Sequence, residues 1–172
     1  MTKQKALIAG ATGVVGRNLL KHLVEVRGWE IVTLSRRKPD VEGTYEHVCV
    51  DLMDAAATGQ AAADVASLFA VTHVVHNAGV VRPGLLPDVK LDDLQALSQL
   101  HLGAAITLVQ SALPAMRKNH FGRIVLMSSR GALGLRIPGL ARALSRRCVR
   151  TGDRLGDGSK RVDDLLGSLE AG

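Results

Sequence analysis

Ala6-Leu7-Ile8-Ala9 runs straight into Gly10-Ala11-Thr12-Gly13-Val14-Val15-Gly16, so three glycines spaced by three close a short apolar run. The run reads as a buried strand, and an amphipathic helix begins directly after it. Such a turn needs one glycine to be tight and a second so that a ligand can approach the backbone. The third lets the helix lie close to the strand. The helix N-terminus then offers free N–H groups and a partial positive charge to an anion. Gly10, Thr12, Gly13, Val14, Val15 and Gly16 are therefore the candidate cradle for a pyrophosphate. The alternative is a glycine-rich turn in an ordinary βα unit.

The helix has the required pattern. Val15, Leu19 and Leu23 lie four apart, Leu20 and Val24 widen the stripe, and Arg17, Asn18, Lys21 and His22 are left outside. Gly28 can supply a left-handed residue where the helix closes. Trp29–Leu34 follows as a second strand with β-branched residues in its middle. Residues 4–34 thus spell one βαβ unit.

Further along, residues 35–40 are a polar loop, and 46–50 read as a third strand ending at Asp51-Leu52. An alanine-rich helix over 56–69 comes next, then a fourth strand over 71–76 ending at Asn77-Ala78-Gly79. Residues 80–90 form a loop with Pro83, Gly84 and Pro87. A long helix over about 91–117 carries Leu94, Leu97, Leu100, Ala104, Ala105, Leu108, Val109, Ala112 and Met116, with Pro114 expected to bend its last turn. Residues 123–127 make a fifth strand running into Ser128-Ser129. Strands alternating with helices predict an α/β fold of Rossmann type: a doubly wound parallel sheet with helices on both faces, expected to be incomplete on its C-terminal side. Ligands in such sheets bind beyond the carboxyl ends of the strands, where Gly10–Gly16, 35–37, Asp51, 77–79 and Ser129 all fall.

The length of 172 residues fits one domain over 1–135 followed by a divergent basic tail over 136–172. The net charge is +6, and residues 136–161 account for the whole excess, with eight basic residues against Asp153 and Asp157. No aromatics interleave with those arginines, so nucleic acid is not the expected partner. Cys49 and Cys148 show no spacing pattern and read as free thiols in a reducing compartment, with Cys49 buried in its strand. No apolar run reaches membrane-spanning length, and the chain is expected to be soluble and cytoplasmic.

Together these segments resemble the short-chain dehydrogenase/reductase family. The resemblance is carried by Gly10–Gly16, Asp51-Leu52, His76-Asn77-Ala78-Gly79, Gln110–Met116 and Gly122–Ser129, in that order. It implies an NAD(P)-dependent oxidoreductase that moves a hydride between the cofactor and a small carbonyl or alcohol substrate, possible as a homo-oligomer. It implies that Gly10, Gly13 and Gly16 line the pyrophosphate. Asp51 would accept from the adenine amino group with Leu52 beside the ring, and Asn77, Ala78 and Gly79 would support the adenosine ribose. Ser129 would orient the substrate oxygen. His101 stands where the family usually has an asparagine, and is the one stand-in for a proton donor.

Cofactor choice follows from charge. An acid at the end of the second strand holds the ribose diol of NAD. This chain has Ser35, Arg36 and Arg37 there, and two guanidinium groups suit a 2′-phosphate, so NADP is expected in preference to NAD. Catalysis is another matter. The family's reaction needs a Tyr-x-x-x-Lys pair about thirteen residues after the serine, the lysine lowering the tyrosine pKa so that the phenol can exchange a proton. Positions 142 and 146 are Arg142 and Arg146, and Tyr45 is the only tyrosine. The segment after 135 reads as a truncated or frame-shifted end. Other groups are set aside: His73 and His76, three apart on a strand, face opposite sides and make no metal pair. Asp92-Asp93 suit a helix start. The alternatives to an enzyme are a non-catalytic NADP-binding protein, such as a sensor or a partner of a full-length homologue, and a non-functional fragment.

Overall fold

The computed structural model describes residues 4–82 and 86–128. Ser129, the loop residues Pro83 and Gly84, and the tail over 136–172 lie outside the described residues.

Among the described residues, five parallel strands form one sheet: β1 (Gln4–Ala9), β2 (Trp29–Ser35), β3 (Glu46–Cys49), β4 (His73–His76) and β5 (Arg123–Leu126). They lie in the order β3-β2-β1-β4-β5, so the chain reverses direction across the sheet between β1 and β4. Leu7 sits opposite Val32 on one side and Val74 on the other. Alternate residues of β1 face opposite layers. Ala6 and Ile8 pack with Ile31 and Leu20 against α1 (Val14–Glu25). Leu7 and Ala9 pack with Val32, Leu34 and Val74 against α2 (Ala55–Leu68) and α4 (Ala104–Lys118). This is the doubly wound arrangement, with helices on both faces.

Three sequence expectations change. The stripe of α1 is Gly16, Leu20, Leu23 and Val24 with Leu19, while Val15 is exposed. A glycine at 16 brings the first turn so close to β1 that the buried face begins there, one residue later than the leucine spacing suggests. Gly28 has φ +97°, but α1 ends three residues earlier on an extended Val26, so Gly28 shapes the turn into β2. Cys49 is exposed: it ends an outer strand, and its thiol donates to Arg36 O at 3.3 Å.

The long helix is also not uniform. α3 (Leu91–Ser98) passes into a π turn over Gln99–Gly103 before α4 begins. By length and composition alone, Leu91–Lys118 would suffice to cross a membrane. Its apolar side instead covers the sheet through the buried Leu100, Ala104, Ala105, Leu108, Ala112 and Met116. Pro114 lies inside α4, where it removes one backbone donor. α2 starts on Asp54, whose carboxylate accepts from Ala57 N at 2.9 Å, an ordinary N-cap.

Candidate functional site

The ends of four strands build one cleft. Its walls are Gly10, Thr12 and Gly13 after β1, Leu34 to Arg37 at the end of β2, and Val50 to Met53 after β3. Asn77 to Val80 after β4 and Leu100 from the π turn complete it. Gly10, Thr12, Gly13, Ser35, Arg36, Arg37, Asp51, Leu52, Asn77, Ala78 and Gly79, all picked from the sequence, are thereby brought together. Val14, Val15 and Gly16 are not on the wall: Val14 and Val15 stand exposed on the first turn of α1, and Gly16 is buried behind it. Leu34, Val50, Met53, Val80 and Leu100 on the wall belong to no motif in the sequence. Four of them neighbour a chosen residue and so follow from the strand-end rule; Leu100 arrives only through the π turn.

The three glycines do different work. Gly10 has φ +79°, and a Cβ there would stand 2.5 Å from Ala78 N. A Cβ at Gly16 would stand 2.3 Å from Gly10 O. These two glycines let β1, α1 and the end of β4 meet backbone to backbone. The junction is tied by Gly10 N–H to Leu34 O at 3.0 Å and Asn77 Nδ2 to Gly10 O at 3.0 Å. Gly13 is open: its Cβ would find nothing nearer than 3.8 Å, and its φ is −72°. The first helical bond runs from Arg17 N to Gly13 O at 2.8 Å, so the N–H groups of the first turn lie ahead of it, free for an anion.

On the β2 side, Ser35 is buried and its hydroxyl donates to Arg37 O at 2.8 Å. It folds the loop that carries Arg36 and Arg37. Both arginines are exposed on the cleft, and among the described residues no carboxylate pairs with either. Asp51 is exposed, and its Oδ1 accepts from Met53 N at 3.0 Å. Leu52 is buried beneath it.

Two histidines frame the β4 end. His101 is exposed, and its Nε2–H donates to Val80 O at 3.1 Å. Its ring lies over Gly79, where a Cβ would be 2.8 Å from Cε1. His76 is buried, its Nε2–H donates to Leu100 O at 3.0 Å, and its Nδ1 has no partner among the described residues. Burial pushes the His76 pKa down to about 4, the nearby His101 adding to the fall and the Leu100 bond opposing it. His73 faces the other way, against Trp29 and Phe121, and among the described residues no group of side chains is set to hold a metal.

His76 gives the fold an acid weakness. Its folded pKa lies below the unfolded value of 6.5, so the unfolded chain binds the extra proton first. The stability of the neutral ring is full above about pH 6.5 and falls as pH drops towards 4, by up to about 3 kcal/mol. Urea unfolding at several pH values is expected to show a flatter acid limb for His76→Gln than for the parent chain.

A family model for short chain dehydrogenases matches residues 4–141, and the chain belongs to that family. It is 30% identical over 147 residues to the 3-oxoacyl-[acyl-carrier-protein] reductase FabG of Staphylococcus aureus, covering 78% of this chain and 59% of the reductase. A polyketide synthase for phenolphthiocerol synthesis in Mycobacterium bovis is 34% identical over 121 residues, which cover 61% of this chain and 6% of the synthase. Among solved structures, one from Beutenbergia cavernae, named for an NAD(P)-dependent gluconate 5-dehydrogenase and carrying NADP at low occupancy, superposes with a TM-score of 0.76. It is 25% identical and covers 87% of this chain and 63% of its own. The NADP-bound 3-oxoacyl reductase of Agrobacterium tumefaciens shares the fold, with a TM-score of 0.75 at 22% identity, over 90% of this chain and 62% of its own. The chain thus spans well under two thirds of the curated relatives it matches.

Proposed function

We propose that this chain binds NADP(H) in the cleft, is an oxidoreductase by descent, and carries out little or no hydride transfer. The observation that carries the cofactor reading is the pair Arg36 and Arg37 on the cleft at the end of β2, with no carboxylate paired to either among the described residues. The cleft fits a dinucleotide in three further respects. Gly13 leaves open space at the helix start, Gly10 and Gly16 let the backbones close behind it, and Asp51 and Leu52 offer an acceptor and an apolar surface.

In this reading, Thr12, Gly13 and the first-turn N–H groups of Val14, Val15 and Gly16 hold the pyrophosphate. Arg36 and Arg37 hold the 2′-phosphate on the loop braced by Ser35. Asp51 accepts from the adenine amino group, Leu52 lies beside the ring, and Asn77, Ala78 and Gly79 support the ribose. The cofactor, when bound, supplies a hydride for a carbonyl carbon. The chain must then orient the substrate oxygen, assigned to Ser129, and give it a proton, for which His101 is the candidate among the described residues. Tyr45 cannot help, because its hydroxyl donates to Pro39 O at 2.6 Å in the β2–β3 connection, outside the cleft. That placement favours the second reading, a non-catalytic NADP-binding protein. The compartment we assign is the cytoplasm, on the free thiol of Cys49.

Fluorescence titration tests the cofactor reading. NADPH is expected to bind roughly tenfold to a hundredfold more tightly than NADH, the yield of one charge-assisted contact of about 1.5–3 kcal/mol. Replacing Arg36 and Arg37 together by alanine is expected to erase the preference. Equal affinities in the parent chain would refute the assignment.

A further inference from the structure

The π turn at Gln99–Gly103 needs a physical cause. In an unbroken α-helix the Ala104 N–H would bond to Leu100 O. Here it bonds to Gln99 O, one residue further back. Leu100 O thereby loses its helical donor at a buried position, where a carbonyl without a partner is costly. The side chain that comes to it is His76, from the last residue of β4, with Nε2 at 3.0 Å.

The register of the turn has consequences for the cleft. α4 is fixed on the sheet by Ala104, Ala105, Leu108, Ala112 and Met116. Reverting the wide turn to α geometry would therefore rotate the residues before it, by on the order of 100° per residue removed. Leu100 would leave the cleft wall, and His101 would leave Gly79 and Val80 O.

We propose that His76 is a positioning residue for the cleft: its bond to Leu100 O holds the wide turn, and through it the seats of Leu100 on the wall and of His101 on Gly79. The ring is suited to this task. It is neutral at pH 7, so Nε2 can carry the only ring proton while Nδ1 stays a bare acceptor in the interior. The inference rests on the cofactor reading only for its effect on NADPH affinity.

The test has one readout without cofactor and one with it. In isotope-labelled protein, the nuclear Overhauser cross-peak between His101 Hε1 and the Gly79 Hα protons reports the seat of His101. His76→Leu fills the space without a donor, and His76→Gln restores an N–H near the Nε2 position. The cross-peak is expected to vanish in His76→Leu and persist in His76→Gln. NADPH affinity is expected to fall roughly tenfold in the first and stay within roughly twofold in the second. A folded His76→Leu that keeps the cross-peak overturns the proposal, as does a folded His76→Gln that loses it. If His76→Leu does not fold, His76→Gln decides alone by the same cross-peak. A parent chain that fails to bind NADPH would sink the cofactor reading and leave the cross-peak comparison intact.

Discussion

Gly13→Val is expected to fold like the parent chain and to bind NADPH at least about thirtyfold more weakly, whereas Gly16→Val is expected to lose the fold. The two positions are three residues apart and both are glycine, so residue type does not separate them. Space does. At Gly13 the backbone is at φ −72° and ψ 166°, which valine adopts without strain, and the nearest atom to a Cβ is 3.8 Å away. The new methyl groups stand at the open cleft, against any pyrophosphate on the helix start. A steric penalty of about 2 kcal/mol already gives the thirtyfold loss. At Gly16 a Cβ would lie 2.3 Å from Gly10 O and 2.9 Å from Ala11 Cα, both backbone atoms that cannot swing aside. α1 would have to lift off β1, and the Ala6–Ile8–Leu20–Ile31 layer with it. Circular dichroism melts should show Gly13→Val within about 3 °C of the parent and Gly16→Val lower by more than about 10 °C, or without a cooperative transition. Normal NADPH binding by Gly13→Val would mean that this loop is not the phosphate cradle.

The cleft was largely legible in the sequence because parallel strands put it where the strands end. Once 6–9, 29–34, 46–50 and 71–76 are read as strands, the residues after each must converge, and Gly10, Arg36, Asp51 and Asn77 do so. Packing that depends on a few tenths of an ångström was not legible. Val15 fits the apolar period of α1 but is exposed, because the close approach at Gly16 sets which face is buried. Cys49 has apolar neighbours but sits at the end of an outer strand. The π turn left no mark either. Leu100, Ala104, Leu108, Ala112 and Met116 recur every four residues straight across the turn, so its extra residue disturbs no visible pattern. Its buried Leu100 carbonyl is met by a single ring from β4, twenty-four residues away in sequence. A contact of that kind is fixed by tertiary structure, not by local propensity.

NADPH oxidation by this chain, assayed from pH 5 to 9 against a panel of ketones and aldehydes, is expected to stay at background. Binding a cofactor and a carbonyl in one cleft supplies proximity, but the oxygen must still receive a proton as the hydride arrives. A positioned acid contributes about 10²–10⁴ in rate. Arg142 and Arg146 occupy the positions where the family's tyrosine and lysine are expected, and arginine stays protonated at every working pH. The chain's one tyrosine is committed to Pro39 O. His101 remains, and its geometry limits it. Its Nε2–H is already donated to Val80 O, so a transferable proton would have to sit on Nδ1 of a doubly protonated ring. His101→Ala separates the cases. Turnover that disappears in this variant would overturn the inactive reading and make His101 the acid; turnover that survives it would place the acid elsewhere in the chain.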